Sequence, residues 1–435
     1  MKAGRYGVSS TLAANLFIQV CTVLQGVLLA RTLGPAGRGE FATVILWPSF
    51  FAGLGIAGAD IALARLAGQG LATRSLVQSA LNSAVITGLP TALLCAISLP
   101  FLVPSEKHDL LQACYLFALF IPLNHLGANL QSIDQGSGNF VWMNLTRAAI
   151  YPFFFIGIGV AAAFASNKVI WIVGALLAAN FLVVLLRLFA RRRELTGTER
   201  EPTRLSAIFR AGIPFISASL ISTVYTQSDK VLLVWLLPSE QVGLYAAAFA
   251  AAGTVNALTN AFGMIQFSAS VKAEYQTGFL DLAAAMRRGA IFSLLAIVSL
   301  YAVLPFLMPI IYGKEFSGAV FPTRLLLPGM FMAGLTDIVD QALRGQGRPM
   351  PGVISKLVGL IALGIVGAYL SPKIGIDGIA IAYVVSQIIL FLSISIVTFR
   401  HYVDADLRAL MPGRHDIEFV VRKLIKKNSE NGLNI

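Results

Sequence analysis

Residues 29–42 read Leu-Ala-Arg-Thr-Leu-Gly-Pro-Ala-Gly-Arg-Gly-Glu-Phe-Ala, and residues 233–246 read Leu-Val-Trp-Leu-Leu-Pro-Ser-Glu-Gln-Val-Gly-Leu-Tyr-Ala. Slid by 204 residues, the first stretch lies on the second. Leu33 meets Leu237, Gly39 meets Gly243, Phe41 meets Tyr245 and Ala42 meets Ala246. Each stretch follows a long apolar run and contains turn residues, so each ends one helix and begins the next. A shift of 209 then brings Gly136-Ser-Gly138-Asn onto Gly345-Gln-Gly347-Arg, and Arg147 onto Lys356. The chain is therefore an internal repeat. If each half starts on the same side of a membrane, the repeats are parallel and related by an axis along the membrane normal, with a site expected where the halves face each other.

The composition explains what is repeated. Of 435 residues, 57% are hydrophobic and only 12% charged, against roughly 25% charged in a soluble domain. Half the usual charge means that most of the surface faces lipid. Apolar runs of the roughly 20 residues needed to cross a bilayer occur about twelve times, near residues 8–30, 41–64, 76–103, 110–133, 140–164, 169–189, 211–237, 242–270, 289–312, 323–343, 353–370 and 378–399. The expected fold is an all-α integral membrane protein of about twelve transmembrane helices, six per half. The first run is too long for a signal-peptide core and no small-residue cleavage site follows it, so it is expected to remain as a helix. Cys21, Cys95 and Cys114 all fall inside apolar runs and read as small buried hydrophobes, with no disulfide framework, metal or cofactor site implied.

The net charge of +12 is a topology signal rather than a mark of nucleic-acid binding. The even-numbered loops and the two tails hold most of the Lys and Arg, including Arg191, Arg192, Arg193, Lys423, Lys426 and Lys427. The odd-numbered loops hold only Arg31, Arg38, Lys107, Lys168, Lys314 and Lys373. The positive-inside rule then predicts that both termini are cytoplasmic. The organisation expected is an N-terminal six-helix lobe over 1–190, a basic cytoplasmic linker over 191–210, a C-terminal lobe over 211–400 and a cytoplasmic tail over 401–435. The loops are short enough to leave no extramembrane domain. Asp404-Ala-Asp406 matches a sugar-nucleotide transferase pattern by chance, since no nucleotide-binding domain surrounds it. Ile417, Val420, Val421, Leu424 and Ile425 oppose Arg422, Lys423, Lys426 and Lys427 at helical spacing, which predicts an amphipathic helix lying on anionic lipid.

Polar residues inside the spans mark where lipid does not reach. Asn15, Gln19, Thr22 and Gly26 share one helix face, and the 204 shift places Ser219, Thr223, Thr226 and Lys230 on the matching face of the seventh span. Asn124, Ala128, Gln131 and Gln135 correspond likewise to Ala333, Asp337, Asp340 and Arg344. Such faces line a cavity or a helix contact. Lys230 sits deep enough to contact an anionic ligand or to serve in an ion pair, and Asp229 beside it points elsewhere. Asp340 and Arg344 are spaced for an intrahelical salt bridge. Arg147 and Lys356 lie near the cytoplasmic surface, as ligand contacts or as snorkelling anchors. Asp60 and Arg65 lie near an inner helix end, and Arg31 lies at an outer one where its charge suits the helix dipole.

On Leu29-Ala-Arg31-Thr-Leu-Gly-Pro35-x-x-x-Gly39-x-Phe41, Asp229-Lys230 followed by Val242-Gly-Leu-Tyr-Ala246, and Gly375-x-x-Gly378-Ile-Ala-Ile-Ala382, the chain resembles the polysaccharide flippases. These are Wzx-type exporters of lipid-linked oligosaccharide in the multidrug/oligosaccharidyl-lipid/polysaccharide superfamily. The resemblance covers nearly all of the chain up to about residue 402 and implies two six-helix lobes around a central cationic cavity, alternating access and a bacterial inner-membrane location. It implies an undecaprenyl-pyrophosphate-linked glycan as cargo, destined for O-antigen, capsule or exopolysaccharide. Glycan polymerase and chain-length proteins are the expected partners. Lipid II flippases of the superfamily usually have fourteen spans. Its drug/cation antiporters, the main alternative, have an acidic residue in the first helix that is absent here. Major facilitator carriers fit poorly at Arg65–Arg74. A membrane polymerase or ligase, the enzymatic alternative, normally presents a large outward loop with Arg and His.

The residues that would do this work are, for substrate, Lys230, Arg147, Lys356, Arg31, Asn15, Gln19, Thr223 and Thr226. For a coupled ion they are Asp229, Asp337, Asp340 and Asp60. Outward movement of roughly two negative charges gains about 4–5 kcal/mol per 100 mV of interior-negative potential, and fixed cations lower the desolvation barrier for the pyrophosphate.

Overall fold

The computed structural model describes residues 2–56, 58–70, 73–165, 167–192, 205–256, 259, 262, 263, 266, 275–346, 348–401, 407–411 and 413. Among them there is no strand. The helices are α1 (Lys2–Gly55), α2 (Ala59–Gly68), α3 (Thr73–Leu102), α4 (Leu111–Ala118), α5 (Phe120–Gly136), α6 (Phe140–Phe164), α7 (Lys168–Ala190), α8 (Leu205–Leu236), α9 (Ser239–Ala252), α10 (Tyr275–Tyr312), α11 (Val320–Gly345), α12 (Met350–Ile374) and α13 (Ile376–His401). Nine stretches within the described residues are long and apolar enough to cross a membrane. Asp404, Asp406, the linker residues 193–204 and the amphipathic stretch 417–427 lie outside the described residues.

Most of the twelve expected spans coincide with a helix to within a few residues; the first two differ for local reasons, the eighth is described as a continuous helix only over Ser239–Ala252, and the ninth, expected from residue 289, lies in a helix that already begins at Tyr275. The first two spans are joined without a loop, because α1 runs through Pro35 with a kink at Gly34, where φ is 67° and ψ −178°. A side chain there would be strained, and the glycine lets the chain turn while the helix resumes at once. The second span is instead split, since helix α1 stops at Gly55 and α2 restarts at Ala59 behind Gly58, whose φ is 71°. The fourth span is preceded by a 3₁₀ turn, Ser105–Leu110.

The repeat is visible in the elements themselves. Under the 209 shift this 3₁₀ turn falls on a second one, Lys314–Ala319. The end of α5 at Gly136 falls on the end of α11 at Gly345, and α6 falls on α12 to within one residue.

The chain folds as two compact units, residues 1–247 with 311–315, and residues 248–310 with 316–435. In the first, Ala59, Leu63, Leu76, Ala80, Leu130 and Ile133 form a buried core between α2, α3 and α5, and α1 packs on both α6 and α8. In the second, Leu282, Met286, Leu335, Ile338, Val339 and Ile394 do the same between α10, α11 and α13. The opposite faces are apolar but uncovered: Phe101, Phe164, Phe306 and Ile365 are each at least 66% exposed, as lipid-facing side chains must be. Hydroxyls on these helices bond back to their own carbonyls, Ser98 to Leu94 at 2.7 Å and Ser299 to Leu295 at 2.8 Å, so that lipid meets no unsatisfied donor there.

Candidate functional site

In the first unit the polar face of α1 meets α6. Asn144 of α6, 3% exposed, donates to Thr11 at 2.9 Å and to Ser10 at 3.3 Å. One helical turn on, the Arg147 guanidinium donates to the side-chain carbonyl of Asn15, and further along Gln25 donates to the Tyr151 carbonyl at 2.6 Å. Two residues predicted separately for substrate, Asn15 and Arg147, are therefore brought together, 132 positions apart in sequence. Gln19 lies half-buried on the same helix.

The matching face belongs to α8. Lys230 is exposed, and its ammonium donates to Gln227 Oε1 at 2.7 Å and to the Thr226 carbonyl at 3.3 Å. Thr226 is exposed and bonds the Ser222 carbonyl at 2.5 Å. Thr223 instead packs on α1, where a Cβ at Gly53 would lie 2.6 Å from its methyl group. Asp229, 5% exposed, points away from Lys230's side of the helix into the protein. Arg31 is exposed at the end of the first segment of α1 and donates through Nε to the Ile311 carbonyl at 2.8 Å. Asp60 is half-buried in the first turn of α2, where a carboxylate suits the positive end of the helix.

In the second unit Asp340 is the hub. Its Oδ2 accepts from Arg344 at 2.8 Å and from Lys356 of α12 at 3.4 Å, and the residue is 6% exposed. The spacing of Asp340 and Arg344 thus yields the intrahelical bridge it permits, and Lys356 joins it from a neighbouring helix. Asp337, one turn earlier, is half-buried and faces Gly263, where a Cβ would lie 3.1 Å from its Oδ2. Arg147 and Lys356, equivalent in the repeat, are each held by a partner in their own unit.

Several buried polar groups are not anticipated by the sequence pattern. Arg191, expected in the basic linker, is 6% exposed and bonded to Asp134 at 2.5 Å. Arg187, one turn before it, is 4% exposed and donates to the Gly127 carbonyl at 2.5 Å and to Gln131 at 2.8 Å. Together they staple α7 to α5. His125 of α5 is fully buried between Thr87, at 2.8 Å, and the Ala52 carbonyl, at 3.0 Å. The Arg187 and Arg191 pair is signalled only by its i, i+4 spacing at a helix end, and His125 by nothing local.

Two cationic side chains, Arg147 and Lys230, thus lie with amides and hydroxyls on helices that flank α1. This is the chemistry of a surface that pairs with an anion and hydrogen-bonds a polyhydroxylated group. Among the described residues no group of His, Cys, Asp or Glu is arranged to hold a metal ion.

The family model described as polysaccharide biosynthesis protein matches residues 5–270, more than half of the chain. No curated protein matches it. Among solved structures, the fold is similar to that of the lipid II flippase MurJ in an inward closed conformation, with a TM-score of 0.74 at 14% identity over 95% of each chain. It is also similar to multidrug resistance MATE family transporters of the MOP superfamily. For an inward-facing one the TM-score is 0.68 at 15% identity, over 91% of this chain and 98% of that one. For an outward-facing one it is 0.62 at 14% identity, over 92% and 95%.

Proposed function

The chain belongs to the family described as polysaccharide biosynthesis protein, and from that premise we propose that it is a member of the multidrug/oligosaccharidyl-lipid/polysaccharide superfamily that flips undecaprenyl-pyrophosphate-linked oligosaccharide across a bacterial inner membrane. It is a multi-pass membrane transporter and not an enzyme. The observation that supports this cargo is the pairing of fixed cations with amide and hydroxyl side chains on helices of membrane-spanning length. A pyrophosphate needs the first and a glycan the second. The lobes 1–190 and 211–400 are the bodies that alternate, and both termini lie in the cytoplasm. Asp229, Asp337, Asp340 and Asp60 are the candidate carriers of a coupled cation, and the polymerase and chain-length proteins take the cargo once it has crossed.

Deleting the gene should remove surface glycan and leave lipid-linked oligosaccharide accumulating on the cytoplasmic leaflet, with re-expression restoring export. Unchanged surface glycan with altered drug sensitivity would favour an antiporter instead. Two further outcomes follow from the same reading. Cysteines at Ser239 and Thr198 should label from opposite sides of the membrane, Ser239 from outside, and labelling from one side alone contradicts the topology. Arg147→Ala and Lys356→Ala should each impair export strongly while the protein stays near its normal abundance. Two small losses, chiefly in protein level, would make them anchors.

A further inference from the structure

In the first unit two cavities adjoin at the start of α7, at the end predicted to face outward. The upper one, about 690 Å³, is lined by Thr32 and Glu40 of α1 with Asn167 and Lys168. The lower one, about 570 Å³, is an apolar groove lined by Leu116 of α4, Gly157 and Val160 of α6, and Trp171, Gly174 and Ala178 of α7. Both fall in the roughly 300–1,000 Å³ range of small-molecule sites. The lining passes directly from Lys168 and Val169 above to Ile170 and Trp171 below. Lys168, Trp171, Ala175 and Ala178 recur at the three-and-four spacing of one helix face.

The groove is kept open by glycine and not by packing. A Cβ at Gly174 would meet nothing within 4 Å, so no neighbour requires this residue to be small. Gly157 differs, because its Cβ would lie 2.5 Å from that of Ala175, where α6 and α7 are in contact. A groove on membrane-spanning helices opens on hydrocarbon. Trp171, 61% exposed, sits one turn below Lys168, as an aromatic side chain at headgroup depth does.

The upper cavity holds opposite charges that do not neutralise each other. The Lys168 ammonium donates to the Thr32 carbonyl at 3.5 Å, and among the described residues neither Lys168 nor Glu40 enters an ion pair. A simple anion would be repelled by Glu40 and a simple cation by Lys168, whereas a molecule carrying both charges satisfies both.

We propose that the two cavities form one site for a zwitterionic phospholipid with a primary ammonium, its phosphate on Lys168, its ammonium on Glu40 and one acyl chain in the groove. Lysine binds phosphate through a charge-assisted hydrogen bond, and a carboxylate accepts from an ammonium in the same way. A quaternary ammonium has no N–H to give, and an anionic headgroup leaves Glu40 unanswered. The lipid would tie α4, α6 and α7 to the bend of α1. None of these residues belongs to the candidate substrate or coupling set, so the site stands apart from the cargo.

The test uses the purified full chain, stripped of lipid in detergent and supplied with phosphatidylethanolamine, phosphatidylcholine or phosphatidylglycerol. Bound lipid is read by native mass spectrometry and by the thermal transition. Phosphatidylethanolamine should be retained in preference to the other two and should raise the transition. Lys168→Gln should lower its retention by at least about tenfold, the loss of one charged hydrogen bond. Glu40→Gln should remove the preference over phosphatidylglycerol. Gly174→Leu should abolish retention by filling the groove, with a lipid-free transition no lower than the parent's, since its Cβ is free and leucine is the better helix former. Gly174→Ala, too small to fill the groove, should retain the lipid. Equal retention by the parent, Lys168→Gln and Gly174→Leu overturns the site. Equal retention of all three lipids by the parent overturns the headgroup assignment. A dimer that Gly174→Leu disrupts, with no lipid retained by the parent, overturns the proposal and makes the groove a contact between copies.

Discussion

Lys230→Ala should lower glycan export by at least about thirtyfold while the protein stays near its normal abundance. Among the described residues the Lys230 ammonium is bound by Gln227 and Thr226, both from its own helix. Its removal therefore breaks neither a bond to another helix nor a core contact. What is lost is a charge available to an anion, and truncating one member of a desolvated charge pair typically costs 2–5 kcal/mol, which is roughly thirtyfold at the lower bound. Lys230→Arg preserves the charge with a different fork of donors and should retain part of the activity. Normal export from Lys230→Ala in cells would make the residue a surface lysine of α8 and nothing more.

The largest loss of stability is expected at Asp134. Arg191 and Arg187 are both buried beside it, and its carboxylate bonds Arg191 directly. Asp134→Ala breaks a buried ion pair by removing one member, which typically destabilises by about 3–5 kcal/mol. Thermal unfolding of the detergent-solubilised protein should show a clearly lower transition, and the amount of folded protein should fall with it. Adding Arg191→Met to Asp134→Ala should recover part of the loss, because an apolar side chain then replaces the other buried member of the broken pair. An unchanged transition for Asp134→Ala would mean that water reaches this cluster.

The repeat and most of the helices are legible in the sequence because both depend on local signals. Long apolar runs bounded by glycine and charge set α6 and α7 to within a residue or two. The kink at Gly34 and the break before Gly58 are hidden because backbone dihedrals, and not hydropathy, decide whether a loop or a bend joins two runs. The polar face of Asn15 and Gln19 is legible from its spacing of four, whereas the partner of Asn15 is not, since Arg147 approaches it only once α6 has packed. Lys107 shows the same limit more sharply. Along the chain it is one of a few cations in the loops predicted to face outward, and only the folded protein brings the carbonyl end of α8 within its reach. Arg191 likewise belongs to a basic stretch until α5 supplies Asp134. The glycines at 39 and 243 are visible as a repeated pattern, but their contact with each other is not.

The most direct measurement of the central claim is transport by the purified chain alone. Reconstituted into liposomes with an undecaprenyl-pyrophosphate-linked oligosaccharide in both leaflets, the chain should make the inner-leaflet pool accessible to an added impermeant glycosidase, faster under a membrane potential that favours anion movement. Lys230→Ala liposomes should behave like empty ones. An inner-leaflet pool that stays protected in the presence of well-folded, correctly inserted protein would contradict the account.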